Sequence, residues 1–368
     1  FRKYVNTRTN LLPYIYSESI KSSATGSPMM RAMFLDFADD ANTYNLDQQY
    51  MFGHSLLVAP VMNEGETEKA VYLPEGEWID FWHNALTAGG ETKTYYADVD
   101  SIPVYVKNGS IIPINLNANY ELGGSIGNNV DNYTNLTFRV YPQGNSSYTV
   151  NNSDGTSMEI QATENFDQHK VTVQLPAYDS QITTQIFGSR PSSVTANGNE
   201  LQQVSSLDEF VAGTDCFFYN ANEKFTYVKS SVKDAVAICV NGISKAPFEA
   251  EHAALTGVST NTNHTGYYGE GFVEQFAENG DAVAFTVYED AEAEKSVVIR
   301  YSAGTEDAQR SISVNGETVR ISLPKTQDWD TWSEISVPIH VVVGRNTINI
   351  CYNEGDFSGI NLDCIRIE

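Results

Sequence analysis

YMFGHSLLVAPV, residues 50–61, decides how the chain is read. Leu56, Leu57, Val58 and Ala59 run without polar interruption between Gly53 and Pro60. An unbroken apolar run suits a strand covered on both faces, the habit of parallel sheets. The residues ahead of it read as α/β. YVNTRTNLLPYIYSESIKSSATG (4–26) places Leu11, Leu12, Ile15, Tyr16 and Ile20 at helical spacing, with Pro13 early and Gly26 as a stop. PMMRAMFLDF (28–37) reads as a strand, ADDANTYNLDQQYMFG (38–53) as a polar loop with a short helix. Helix and strand alternate as in a βα array. Two strands and two helices close no parallel sheet, so residues 1–61 are expected to be the end of a larger α/β domain.

After residue 61 the pattern becomes antiparallel β. KAVYLPEGEWIDFW (69–82) reads as two strands around Pro-Glu-Gly, and SIPVYVKNGSIIPI (101–114) as a hairpin around Asn108-Gly109. NLTFRVYP, SSYTVNNSDGTSMEIQAT and HKVTVQLP continue with closely spaced turns, the grammar of β-sandwiches. Residues 117–135, rich in Asn and Gly, read as a loop between them. A further boundary falls near 229–247, where FEAEHAALTG restarts a segment long enough for one compact β-sandwich. The expected class is therefore mainly all-β. Its predicted parts are an α/β remnant (1–61), two sandwiches (62–135 and 136–232) and a β-jelly-roll module (247–368).

The 368 residues carry 22 Lys and Arg against 47 Asp and Glu, a formal net charge of -25. That disfavours nucleic acid and anionic membranes, which require basic patches. No apolar run reaches the ~20 residues of a membrane span. No signal peptide is visible; Phe1 is not a natural start, so one could have been lost with the missing beginning. The cysteines Cys216, Cys239, Cys351 and Cys364 form no CxxC pair, which argues against a cysteine zinc site. They read as small buried hydrophobes, with a Cys351–Cys364 bridge left open. No phosphate loop, dinucleotide fingerprint or HExxH is present.

RTNLLPYIYSESI, PMMRAMFLDF, DQQYMFGHSLLVAPV, VYLPEGEWIDFW and IPVYVKNGSIIPI, in that order over about residues 2–114, resemble glycoside hydrolase family 31. The resemblance implies the end of a (β/α)8 catalytic barrel followed by proximal and distal β-sandwiches. In the distal part TVNNSDG stands where that family often has a Y-x-D-D-G turn. Glycoside hydrolysis usually uses two carboxylates. Asp36, Asp39, Asp40 and Asp47 cluster at 36–47, but loop solvation and helix capping, Asp39 or Asp40 as N-cap, account for them. The family's nucleophile and acid/base aspartates lie on earlier barrel strands, so no catalytic residue is expected in this chain. Arg31 and Asp47 match family positions and read as part of a buried Arg–carboxylate network bracing the last barrel strands rather than as substrate contacts; His54 reads as structural.

FEAEHAALTG, TGYYGEGFVEQF, the Trp329-x-x-Trp332 segment, GRNTINI and GINLDCIRIE resemble carbohydrate-binding modules of families 35 and 6. Glu249 and Glu251, at i and i+2 on a first strand, face one way, and Asp363 sits on a last strand. Three such carboxylates repel unless a cation joins them, and Ca2+ favours several hard oxygens; a solvated acidic edge is the other reading. The resemblance implies the calcium site, because these positions match the family's structural ligands. Sugar binding calls for an aromatic face and a few polar groups. The candidates are Tyr267, Tyr268, Trp329 and Asn361, with Trp332 read as core and Glu270 and Asp356 as further hydroxyl contacts.

The expected function is the C-terminal part of a retaining α-glycoside hydrolase. Its substrates would be α-linked glucose-containing oligosaccharides, and its module would be calcium-stabilised. The alternatives are an α-glucosyl or isomaltosyl transferase, an α-N-acetylgalactosaminidase, or a non-catalytic glycan-binding protein. The expected partners are an oligo- or polysaccharide and the missing catalytic portion of the same polypeptide, at an extracellular or cell-surface location in a bacterium.

Overall fold

The computed structural model describes residues 1–97, 100–127, 133–178, 182–289 and 291–368. It is mainly β, with few helices, and divides into two compact units. The first comprises 1–72, 93–220 and 224–244; the second comprises 73–92, 221–223 and 245–368. Among the described residues no helix is long and apolar enough to cross a membrane.

In the first unit the predicted helix is two, α1 (Arg2–Asn10) and α2 (Leu12–Thr25), broken at Leu11. Pro13 occupies the first turn of α2, where its missing N–H is no loss. Gly26 ends the helix in the left-handed conformation, φ 75°. PMMRAMFLDF is only partly a strand: Met30–Ala32 is extended and Met33–Asp36 turns into a short helix.

The opening stretch corrects the sequence reading. Leu56–Val58 pairs antiparallel with Tyr50–Phe52 on one side and with Val104–Lys107 on the other. Met30–Ala32 adds a further antiparallel strand. Leu56 and Leu57 are both buried, so coverage of both faces is real. Such coverage does not require a parallel sheet: antiparallel strands inside a packed layer lose the alternation just as well. This sheet also crosses the expected cut at 61/62.

Asn108-Gly109 is a corner, not a hairpin. Val104–Lys107 stays in the first sheet, whereas Ile111–Asn115 pairs with Leu136–Val140 in a second. That second sheet runs through Thr183–Phe187, Phe225–Lys229, Cys216–Asn220 and Gln202–Gln203, so it crosses the expected cut at 135/136. A third sheet holds Asn145–Asn151, Ser157–Asn165, Lys170–Leu175, Val236–Asn241, Ser193–Ala196 and Asn199–Glu200. It requires Val236–Asn241, beyond the expected end at 232. The loop 117–135 carries no strand where described; 128–132 lie outside the described residues.

α2 binds these layers together. The Tyr14 hydroxyl donates to Phe52 O at 2.9 Å and accepts from Ser55 N at 3.1 Å. Its ring stacks on Tyr148 at 5.9 Å. Tyr148 donates to Glu18, whose buried carboxylate also meets Lys21 at 3.0 Å and His54 Nδ1 at 2.6 Å. Burial, then the Glu18 charge, pushes both phenols well above their ordinary range. For Glu18 burial opposes ionisation, but Lys21 and His54 outweigh it and hold the carboxyl below its ordinary value. A depressed carboxyl contributes stability above its unfolded pKa of about 4.3 and loses it as pH falls through the folded value. The urea midpoint of the first unit is therefore expected to drop between pH 5.5 and pH 3. Glu18→Gln should flatten that drop; an equally steep profile in the variant would refute the assignment.

Other sequence expectations resolve here. Asp40 caps a 3-10 turn, Ala41–Thr43, by accepting from Asn42 N. Buried Arg31 pairs with Asp36 (Nη2–Oδ2 2.7 Å) and not with Asp47, and also donates to Gly53 O at 2.7 Å. Asp36 is five residues away on the short helix that breaks the predicted strand, which the extended reading placed out of reach.

The second unit contains a jelly-roll of two antiparallel sheets. One orders Ser259–Asn261, Phe272–Glu274, Asn361–Ile367, Ala293–Ser302 and Ser333–Val341, with Phe248–Glu249 added on Asn361–Ile367. The other orders Ala254–Thr256, Ala282–Glu289, Gly344–Cys351, Ala308–Val314 and Glu317–Leu323. Alternation fills the core from both: Val283, Phe285, Val287, Ile348 and Ile350 from one, Val297, Ile299, Tyr301, Ile365 and Ile367 from the other. Cys351 and Cys364 lie on different sheets and both are free thiols, so the bridge left open by the sequence is absent. The hairpin Glu77–Asp80 and Leu86–Ala88 belongs to this unit, and Glu77 meets Lys245 at 2.9 Å.

Candidate functional site: carboxylates and aromatic loops of the jelly-roll

Two groupings lie near the loop Thr265–Gly271. The first is acidic. Glu249 ends the strand that pairs with Cys364, but Glu251 sits on a 3-10 turn, Ala250–His252, rather than further along the strand. The turn still brings the two carboxylates together at Gly269. A Cβ placed there would lie 2.7 Å from Glu251 Oε1 and 3.2 Å from Glu249 Oε1, so only glycine, at φ +65°, fits. Glu251 Oε1 accepts from Glu270 N and Gly271 N, at 2.9 and 3.1 Å. Asp363 grips the same loop by accepting from Tyr268 N at 3.0 Å.

Glu249 and Asp363 are 3% and 0% exposed. Burial pushes the Asp363 carboxyl up to about 7; Arg300 opposes the rise and Glu249 adds to it. Arg300 is bonded directly to Asp363 and supplies a countercharge that the sequence reading missed. Among the described residues no three His, Cys, Asp or Glu side chains stand in a metal-holding arrangement. The two glutamates thus converge as expected, while Asp363 is held on their loop but shared with Arg300. The donors are hard oxygens, two of them on one carboxylate buried beside like charge, which is chemistry that suits Ca2+. Next to Glu251, His252, Asn261 and Glu270 line an open polar cavity of about 420 Å³. Among the described residues no Phe, Tyr or Trp ring lines it; its one ring is the His252 imidazole.

The second grouping is aromatic. Trp332 donates its indole N–H to Thr265 O at 2.8 Å, and Asp330 accepts from Thr265 N at 2.7 Å, which joins the loops 262–268 and 328–332. Rings then follow in a chain. Tyr267 and Trp332 lie 5.7 and 5.6 Å from Phe272, His264 lies 5.8 Å from Phe272, and Trp329 lies 6.2 Å from His264. Trp329 and Trp332 are both half-buried, so neither is plain core. Trp329 packs so closely on Gly304 that a Cβ there would come within 2.7 Å of the indole; Gly359 flanks its far edge.

Gly359 brings the Asn361 segment to Trp329. Asn361 is 4% exposed, and its Nδ2 has no hydrogen-bond partner among the described residues; nor does Oγ of Ser302, the residue opposite it in register. Buried donors in that state mark places where a ligand or water completes the bonding. Tyr268 departs from its expected part, because the Arg300 guanidinium lies 3.9 Å from its ring centroid and covers one face. Asp356 also departs: it is buried and bonds Ser311 and Asn353 N, bracing a loop rather than reaching outward. Arg300 and His264 were not legible in the sequence. Both act through loop register and ring contacts, and neither sits in a local motif.

Comparison with known proteins fits this architecture. Residues 26–112 match the Glycosyl hydrolase family 31 C-terminal domain, and 246–368 match the family 35 carbohydrate binding module. The isomaltosyltransferase of Sporosarcina globispora is 48% identical over 100% of this chain and 34% of its own length. A cycloalternan-forming enzyme from Listeria monocytogenes, solved with a pentasaccharide substrate, superposes with a TM-score of 0.97 at 44% identity, covering 100% of this chain and 35% of that one. Another Listeria monocytogenes structure, with the same identity, coverage and TM-score, contains α- and β-D-glucose, magnesium and calcium. The chain spans about a third of the length of these relatives. The matched segment 26–112 takes in YMFGHSLLVAPV, in keeping with its antiparallel place beside Val104–Lys107. The chain therefore carries the C-terminal domain of glycosyl hydrolase family 31 over residues 26–112 and a carbohydrate-binding module of family 35 over residues 246–368.

Proposed function

We propose that this chain is the non-catalytic C-terminal part of an α-glucan-active transferase, one that moves α-glucosyl or isomaltosyl groups rather than releasing them to water. The observation that carries this reading is the 48% identity to an isomaltosyltransferase along the whole chain. The cycloalternan-forming relative favours transfer over the hydrolase expected from the sequence. The catalytic carboxylates belong to a preceding part of the same polypeptide. The module's task is to hold α-linked glucose chains near that part, through Trp329, Tyr267 and Asn361, with Tyr268 positioned by Arg300. Glu249, Glu251 and Asp363 hold a structural Ca2+, which would neutralise the buried acids and fix the Thr265–Gly271 loop. The acidic surface and a polymer-binding module suit a secreted or surface-attached enzyme.

The test pairs this chain with the longer polypeptide that includes the preceding residues, each incubated with an isomaltosyl-bearing α-glucan and followed by product chromatography. The longer protein is expected to give transfer products of increased size, and this chain none. Release of reducing sugar without transfer products would restore the hydrolase reading. Turnover by this chain alone would refute the placement of the catalytic residues. Trp329→Ala is expected to weaken α-gluco-oligosaccharide binding at least tenfold in titration calorimetry; unchanged binding would remove Trp329 from the cleft.

A further inference from the structure

Beyond Trp329 the loop 353–360 carries Phe357, the one exposed Phe, Tyr or Trp ring among the described residues of the second unit, at 48%. Its neighbours alternate sharply: Asp356 and Ile360 are buried, Phe357 and Gly359 exposed. An exposed phenyl on a mobile loop would have little meaning. This loop is instead fixed from inside by a fully buried arginine, Arg310, which donates to Phe357 O at 3.0 Å and Ser358 O at 2.7 Å. The guanidinium lies 5.2 Å from the Phe276 ring centroid and 5.0 Å from that of Tyr352. Burial lowers its pKa to about 10, and nearby Asp356 opposes the fall. Gln309 N donates to Phe357 O at 3.1 Å, Ser358 adopts φ 62°, and the Ser358 hydroxyl donates to Glu306 at 2.8 Å.

A buried charge is expensive unless its bonds are used well. Here they hold the backbone on which one aromatic ring faces water. Gly359, two residues on, lies against the Trp329 indole. Two residues of chain span at most about 7 Å, a separation on the scale of adjoining sugar rings in a glucan. We infer that Phe357 is a second aromatic platform of the glycan cleft. It takes the sugar next to the one at Trp329, and Arg310 is its positioning residue. The module then binds a run of at least two α-linked glucose units and favours longer chains.

This inference rests on the reading of the module as glycan-binding, and the experiment separates the two. The whole chain is titrated with glucose, isomaltose and isomaltopentaose as wild type, Phe357→Ala and Phe357→Trp. Phe357→Ala alters an exposed side chain and is expected to keep the wild-type melting temperature. It should lose about tenfold in affinity for isomaltopentaose and keep the affinity for glucose; Phe357→Trp should retain both. Equal weakening for glucose and pentasaccharide would place Phe357 in the first subsite and overturn the inference, and so would unchanged binding of the pentasaccharide. Failure of the wild type to bind any of the three would overturn the glycan-binding reading itself. For Arg310 the readout is proteolysis within 353–360. Arg310→Met is expected to open that loop to cleavage and to reproduce the length-selective loss. A resistant loop in the variant would refute the positioning role.

Discussion

Saturating calcium is expected to raise the unfolding temperature of the jelly-roll by roughly 10 °C, and Glu249→Ala to abolish that rise. A ligand held by the folded state at a hundred times its Kd stabilises by about 2.7 kcal/mol. In a domain of this size each kcal/mol moves Tm by about 4 °C. The sign in the absence of the ion makes the test sharper. Glu249 is 3% exposed and adds to the pressure that lifts the Asp363 carboxyl. Without a cation the buried negative charge costs stability. Glu249→Gln is therefore expected to melt no lower than wild type in EDTA, yet to show no gain when calcium is added. Scanning calorimetry of the whole chain reads both units in one trace. Superimposable traces in calcium and EDTA would end the metal assignment, and a variant that melts far below wild type in EDTA would make Glu249 an ordinary structural bond.

The second large effect belongs to Gly53. Gly53→Ala is expected to destabilise the first unit by about 3 kcal/mol. The position has φ +63°, and a Cβ would fall 2.1 Å from the Tyr14 hydroxyl and 2.8 Å from the Glu18 Cγ. That hydroxyl is already committed to Phe52 O and Ser55 N on the same turn. The added methyl therefore either displaces α2 or opens the turn that sets the register of Leu56–Val58. Gly26→Ala is the control: its φ is +75°, but nothing lies within 4 Å of the new carbon. It should lose only about 1 kcal/mol for the left-handed backbone. Equal losses in the two variants, read from urea unfolding, would show that close packing at Gly53 contributes nothing.

The same turn shows how far the sequence could be read. The apolar run at 56–59 did report burial on both faces. It could not report direction, because parallel and antiparallel ladders bury Leu and Val alike. Asn108-Gly109 reported a sharp reversal, yet whether two strands then pair or part to different sheets depends on partners far along the chain, here Leu136–Val140. In the module, Glu249, Glu251 and Asp363 were named because the resemblance implied them, and in the structure their carboxylates meet the loop 265–271. Arg300 was not found, because its place opposite Cys364 follows from strand register, with an irregularity between Arg300 and Tyr301. Register of that kind is a property of the folded sheet and leaves no mark in neighbouring residues. Asp356 was read as a hydroxyl contact for a related reason: nothing nearby in sequence announces Ser311, which donates to its carboxylate.

The pairing of Phe248–Glu249 with the strand that ends the module has a consequence for how such a domain travels. Its two ends leave from adjoining positions on one sheet, Phe248 opposite Ile365. A segment built this way can be spliced into a host at a single surface point, like a bead threaded through one hole, without stretching the host chain or unpicking its own strands. The same closure permits rearrangement of the order of its strands. A variant in which a short linker joins Glu368 to Phe248, with new ends cut in an exposed turn such as Asn315-Gly316, should still fold as a jelly-roll.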